Sequence, residues 1–124
     1  MYAADHVSAH LGIELVAAME GTATMRLVVG ESMVNGHGLC HGGMLFTLAD
    51  SACAYAANSW GEDALSTGAS IEFLQPAGLG EVLTATAQET ARSGRRAVLD
   101  VMVTAGDGRT VATFRGVTTQ LRRA

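Results

Sequence analysis

The sequence contains no lysine: its eight basic residues are all arginine, set against twelve acidic residues and four histidines. A formal net charge of −4 and a pI near 5.4 exclude the basic stripe with which nucleic-acid binders displace counterions. Charged residues make up only 16% of the chain and hydrophobic ones 48%, too apolar for a solvated tail or linker protein. Cysteine occurs twice, at Cys40 and Cys53, too few for a disulfide scaffold. No apolar run of about 18 residues exists to span a bilayer. Residues 1–12 lack the basic stretch and apolar run of a signal peptide. A cytoplasmic protein without membrane partners is expected. Repeats, low-complexity tracts and linkers are missing too, so 124 residues read as one domain, 1–124, with one core. A lone domain of this length exposes a large share of its surface. With so few charges to cover it, self-association is expected.

What is present reads as α+β. A short helix over Asp5 to Leu11 opens the chain. Ile13 to Glu20 and Thr22 to Gly30 read as a hairpin turning at Glu20-Gly21, with Ala23, Met25, Leu27 and Val29 on one face. Residues 31–43, ESMVNGHGLCHGG, form a glycine-rich loop. Met44 to Ser59 holds helix formers without Pro or Gly and is apolar or small nearly all round, which predicts a helix buried on most sides. Four extended segments follow: Ala64 to Leu74, Val82 to Arg92, Arg96 to Ala105 and Thr110 to Leu121. Ser93-Gly94 and Gly106-Asp107-Gly108 are turn signals. The expected architecture is a strand pair, one long helix and a meander of about four strands, an antiparallel sheet curled around the helix. A single long helix excludes a doubly wound fold.

Asp50 is the most informative residue, an acid in the middle of a helix that otherwise carries no charge. Burying an unpaired carboxylate costs several kcal/mol or raises its pKa. Taken alone, Asp50 fits a wet stripe with Thr47, Ser51 and Asn58. The upstream loop adds chemistry. His41-Gly42-Gly43 feeds the helix N-terminus, where unpaired N–H groups and the positive end of the helix dipole suit an oxyanion. Glycine lets a carbonyl approach that backbone closely, and Asn35 offers a side-chain donor. Gly42 and Asp50 are eight positions apart, roughly 12 Å along a helix. A carbon attacked under the direction of Asp50 has to lie about 3 Å from both groups. One helix cannot supply both. Donors from one subunit and the carboxylate of another, related by a two-fold axis, would give two sites per dimer.

The stretch from Asn35 to Gly43, followed by Leu48-Ala49-Asp50-Ser51-Ala52, resembles the hotdog-fold thioesterases and within them the PaaI type. Ile71-Glu72-Phe73-Leu74-Gln75-Pro76 and Leu83-Thr84-Ala85-Thr86-Ala87 match later strands of that family, and the likeness covers nearly the whole chain. HGG alone is weak; Asn, six residues, Gly-Gly, then Asp fifteen past the Asn is specific. The resemblance implies hydrolysis of an acyl-coenzyme A thioester, with an aromatic acyl group such as ring-hydroxylated phenylacetyl. It implies that the Gly42 N–H and Asn35 polarise the thioester carbonyl and that Gly43 lies against the substrate. Asp50 of the other subunit acts as general base or nucleophile. Ser66 orients water, and His41 holds the loop by hydrogen bonding. A homodimer with shared sites, paired into a tetramer, is implied as well.

Arg92, Arg95 and Arg96 surround the Ser93-Gly94 turn. Their forked guanidinium groups suit the phosphates of coenzyme A, or simply solvate a hairpin tip. Arg122 and Arg123 read as a solubilising end. His37 and His41 are four apart, but the glycines between and after them argue against the helix that would align two metal ligands. No metal and no cofactor is expected, coenzyme A being part of the substrate. Cys40 beside His41 has no geometric reason to face it as a nucleophile, and Cys53 reads as core. Met44, Phe46, Tyr55 and Trp60 are read as riding the helix, mostly as core. Competing readings are a hotdog hydratase or dehydratase, which needs a His–carboxylate pair, and a non-catalytic acyl-coenzyme A-binding module.

Overall fold

The structure, a computed structural model, describes residues 2–121; Arg122 and Arg123 lie outside them. A single 3-10 turn (Tyr2–Ala4) leads into α1 (His6–Leu11), followed by β1 (Glu14–Met19), β2 (Thr22–Val28) and a second 3-10 turn (Glu31–Met33). Then come α2 (Gly42–Ala57), β3 (Ala64–Phe73), β4 (Val82–Ser93), β5 (Arg96–Ala105) and β6 (Thr110–Gln120). Asp5 caps α1 by accepting from the Ser8 N–H, and Gly12 ends it in the left-handed region at φ 73°.

All strands pair antiparallel in one sheet of order β1-β2-β4-β5-β6-β3. This corrects the four-strand meander expected from sequence. Only β4-β5-β6 form a meander, while β3 lies on the far edge, outside β6. Tight turns enforce adjacency, as the Ser93↔Arg96 pair closing β4 onto β5 illustrates. Residues 74–81 between β3 and β4 impose no such constraint. They cross the open end of the sheet instead, so that β4 pairs β2.

The faces of the strands follow the alternation in sequence. Ala23, Met25, Leu27 and Val29 are buried, as are Leu83, Ala85 and Ala87 on β4 and Ala97, Leu99, Val101 and Val103 on β5. They form one core with Leu45, Leu48, Ala49, Ala52, Cys53, Tyr55, Ala56 and Ala57 of α2, and α2 packs on all six strands. The small residues bring helix and sheet close together: a Cβ at Gly116 would stand 2.6 Å from Cys53 Sγ. Tyr55 is buried in this core, whereas Trp60 lies past the helix and is exposed. Its indole N–H donates to Glu89 at 3.3 Å, a departure from the expectation that it rides the helix.

Candidate active site

The site starts at the beginning of α2, two residues earlier than the sequence suggests. His41 is the N-cap, and Gly42 and Gly43 already belong to the first turn. His41 Nδ1 accepts from the Gly43 N–H at 3.2 Å, while the His41 carbonyl takes Met44 and Leu45 N–H. The Gly43 amide is therefore engaged. Among the described residues the Gly42 N–H meets no acceptor, and it sits at the positive end of a sixteen-residue helix.

Asn35 shapes the loop that precedes the helix. Its Oδ1 accepts from His37 N–H at 2.9 Å and Leu39 N–H at 3.2 Å. Its own N–H donates to Leu39 O at 2.7 Å. An Asx turn of this kind consumes the oxygen of the amide and leaves the Nδ2 donor for another partner. Asn35 and Gly42 line one pocket of about 370 Å³ together with Leu39, Leu45, Phe73 and Pro76. The structure thus brings the two donors together.

Phe73 was not singled out from the sequence. It ends β3 and its ring lies against Gly42: a Cβ there would meet the ring at 3.1 Å. The signal was available, since Phe73 and Ile71 share a strand face and Ile71 packs on the core. Nothing local to Phe73 marks which distant residue its ring meets.

Asp50 lies two turns further along α2, outside that pocket. It is half-buried, on a stripe with Gly43, Thr47 and Ala54 that the sheet does not cover completely. Burial raises its carboxyl above the ordinary value, and among the described residues no hydrogen bond compensates. Asn58 leaves the expected wet stripe. It is the C-cap, its amide donating to Ala54 O at 2.8 Å and accepting from Ala64 N–H at 2.9 Å. Cys40 and Cys53 are buried free thiols. Burial pushes both up, and with the nearby Asp50 carboxylate takes Cys53 to about 12. Neither is a thiolate near neutral pH.

Ser66 and the arginines stand apart from Asn35 and Gly42 within one chain. Ser66 is exposed on β3 beside a bulge and pairs with Thr118. Arg96 pairs with Thr119, at the same end of the sheet. Phe73 pairs with Ala112 at the other end, and the seven-residue offset along β6 is roughly 23 Å. Arg92 is tied to Glu89 at 2.6 Å and Arg95 donates to Gln120 O at 3.4 Å. Arg96 lines a shallow cleft with Arg92 and Ser93.

A sheet curled around one helix, with an open amide donor at the helix start and an acid within it, is the architecture of a hotdog enzyme. The chain belongs to the thioesterase superfamily, whose family model matches residues 37–112. Within that superfamily it is of the PaaI type. The acyl-coenzyme A thioesterase PaaI of Escherichia coli (strain K12) is 43% identical over 116 residues, which cover 94% of this chain and 83% of that protein. The solved structure of the E. coli PaaI protein from the phenylacetic acid degradation operon matches with a TM-score of 0.96 at 41% identity, covering 98% of this chain and 88% of that one. A hypothetical thioesterase protein from Streptococcus pneumoniae TIGR4, solved with coenzyme A, matches with a TM-score of 0.84 at 28% identity, covering 90% and 91%.

Proposed function

We propose that this protein hydrolyses acyl-coenzyme A thioesters bearing an aromatic, phenylacetyl-type acyl group, at sites shared between two copies of the chain. The observation that carries this reading is the convergence of the Asn35 amide and the open Gly42 N–H on one apolar pocket. Phe73, Leu39, Leu45 and Pro76 give that pocket a wall suited to an aromatic ring. The similarity to an acyl-coenzyme A thioesterase by name, and to a structure holding coenzyme A, supports the substrate class.

The chemistry needs a base. Asp50, more basic than an ordinary carboxylate because it is half-buried, takes a proton from water as the water oxygen attacks the thioester carbon. Negative charge develops on the carbonyl oxygen, where the Gly42 N–H and Asn35 Nδ2 stabilise it. The tetrahedral intermediate collapses, the C–S bond breaks, and the coenzyme A sulfur leaves as thiolate to be protonated. Asp50 of the same chain lies about 12 Å too far along α2, so the carboxylate comes from a second copy. The β3 edge supports this arrangement. Its outer side is unpaired in the sheet and nearly all its residues are exposed, a state that soluble proteins avoid by covering the edge. Antiparallel pairing of β3 with its counterpart in a second copy would carry Ser66, Asp50 and the arginine cluster toward the other chain's Phe73 and Gly42. A hydratase is disfavoured, since His41 is engaged at its own helix start and meets no carboxylate among the described residues.

The test is subunit mixing with thiol release as readout. Asn35→Ala and Asp50→Ala homomers are each expected to lose about a hundred- to ten-thousand-fold in kcat. Exchanged heteromers are expected to recover activity at the one site that keeps both groups. If subunits exchange and no activity returns, the shared site is wrong. Thiol release from phenylacetyl-coenzyme A no faster than from acetyl-coenzyme A would remove the aromatic preference.

A further inference from the structure

Arg109 lies in the β5–β6 turn and was given no role above. Its guanidinium nevertheless has three different partners. Nε donates to Asp107 Oδ2 at 2.7 Å, Nη1 to the Pro76 carbonyl at 2.9 Å, and Nη2 to Glu81. The other Glu81 oxygen accepts from the Gly78 N–H at 2.6 Å. Each of Arg109's three guanidinium nitrogens thus donates to residues 76–81 or to the turn that presents it.

That segment is the crossing between β3 and β4, and it is the surface on which the Asn35 loop rests. The Ala77 carbonyl accepts from the Cys40 N–H at 2.7 Å, and Leu39 forms a bridge with Gly78. Leu39 in turn donates its N–H to Asn35 Oδ1 and accepts from the Asn35 N–H. One step past Cys40, His41 caps the helix whose first amide is Gly42. The crossing is also held by Ala77, buried in the core, and near its ends by Leu74 and Gln75 N–H on Val111 O, by Gly80 N–H on Val29 O and by Val29 N–H on Glu81 O. Between those ends, Arg109 and Glu81 are the side chains that fix Pro76 and Gly78.

We infer that Arg109, through Glu81 and the 76–81 crossing, is a positioning residue for the two oxyanion donors, Asn35 Nδ2 and Gly42 N–H. The inference rests on the proposed thioesterase site and adds to it a remote brace at the end of the sheet. The physical reason is the narrow tolerance of oxyanion stabilisation. Donors have to stand about 2.7–3.1 Å from an oxygen whose charge develops on the way to the tetrahedral intermediate. A displacement of about 1 Å originating far from the chemistry can cost about a hundredfold. A two-oxygen, one-carbonyl clamp matches the planar five-donor guanidinium and not the single point charge of lysine.

The experiment compares Arg109→Gln, Arg109→Lys and Glu81→Gln in the full chain with Arg26→Gln. The last of these removes the exposed Arg26–Glu14 pair at the opposite sheet edge and serves as the control for loss of an ion pair. Thiol release from phenylacetyl-coenzyme A gives kcat and KM, and residue-resolved amide exchange follows the Leu39 and Cys40 N–H groups. For Arg109→Gln and Glu81→Gln, kcat is expected to fall about ten- to a hundredfold with KM held within about twofold. Exchange at Leu39 and Cys40 is expected to accelerate about tenfold while amides of β2 and β5 keep their protection. Arg109→Lys is expected to fall in between, and the control to match the parent. Unchanged kcat and unchanged exchange in both variants overturn the inference, as does a loss carried wholly by KM or shared by the control. Should Arg109→Gln fail to fold, Glu81→Gln, which keeps the side chain's size, decides alone. A parent protein inactive on every thioester would overturn the proposed function, and the exchange data would still decide whether the brace exists.

Discussion

Asp50 carries a folding cost that the proposed chemistry would use. Its carboxyl is raised by burial alone, so between the ordinary carboxylate value of 3.8 and its raised value the folded chain binds more protons than the unfolded one. Stability contributed at this residue therefore declines as pH rises through that window, and the penalty persists at neutral pH. Asp50→Asn removes the charge and is expected to melt at a higher temperature than the parent at pH 7, by circular dichroism, while losing thioester turnover. On the proposed mechanism the same shift sets the acid limb of the kcat/KM profile. Activity should fall as pH drops through the raised value, a limb absent from the residual activity of Asp50→Asn. Gly42 is constrained from the other side. A methyl group there meets the Phe73 ring at 3.1 Å, and because that ring is exposed it swings away rather than unfolding the chain. Gly42→Ala should keep its melting temperature and lose kcat.

The helices depend on different contacts. Short α1 is fastened by Asp5, which accepts from the Ser8 N–H and hydroxyl and from the Tyr55 hydroxyl at 2.8 Å. Burial pushes that carboxyl up, yet the combined hydrogen bonds hold it below its ordinary value. A depressed carboxylate stabilises above pH 3.8 and loses that contribution as pH falls through its folded value. Amides of α1 are therefore expected to lose exchange protection in acid before those of the sheet. Tyr55→Phe should produce part of that loss at neutral pH, about 1 kcal/mol. For α2 the limit is distance. Gly116→Ala places a methyl group 2.6 Å from Cys53 Sγ and 3.1 Å from the Phe114 ring, all buried. Overpacking of this kind costs about 1–3 kcal/mol. Adding Cys53→Ala should recover much of it in a double-mutant denaturation cycle.

At the scale of the whole molecule, one chain carries an uncovered stripe on α2 and an open β3 edge with Leu65 exposed. A second copy pairing on β3, as proposed, would cover both. Sedimentation should give a mass of at least twice the 12.8 kDa chain. Leu65→Arg is expected to yield a folded monomer that has lost thioester turnover, because an exposed apolar side chain of that edge is replaced by a charge that pairing would have to desolvate. A monomer of the parent protein with full activity would exclude the shared site.

The helix–strand sequence was legible from periodicity: β5 runs from Arg96 to Ala105 as its alternation suggests, and the buried faces of β2 and β4 follow the same rule. The proposed site residues Asn35, Gly42 and Asp50 were legible as a spaced set, because each residue type alone has a structural use and only their combination points to thioester chemistry. What tertiary structure alone decided is adjacency. Nothing local tells β3 to pass β4 and settle outside β6, since a crossing longer than a tight turn leaves the partner strand free. For the same reason the sequence could not show that Phe73 would reach Gly42, or that Arg109 would grip the crossing beneath the Asn35 loop. Local patterns fix how a segment bends and which face it buries. Contacts between segments far apart in the chain depend on the competition among all possible pairings, and only the complete fold resolves it.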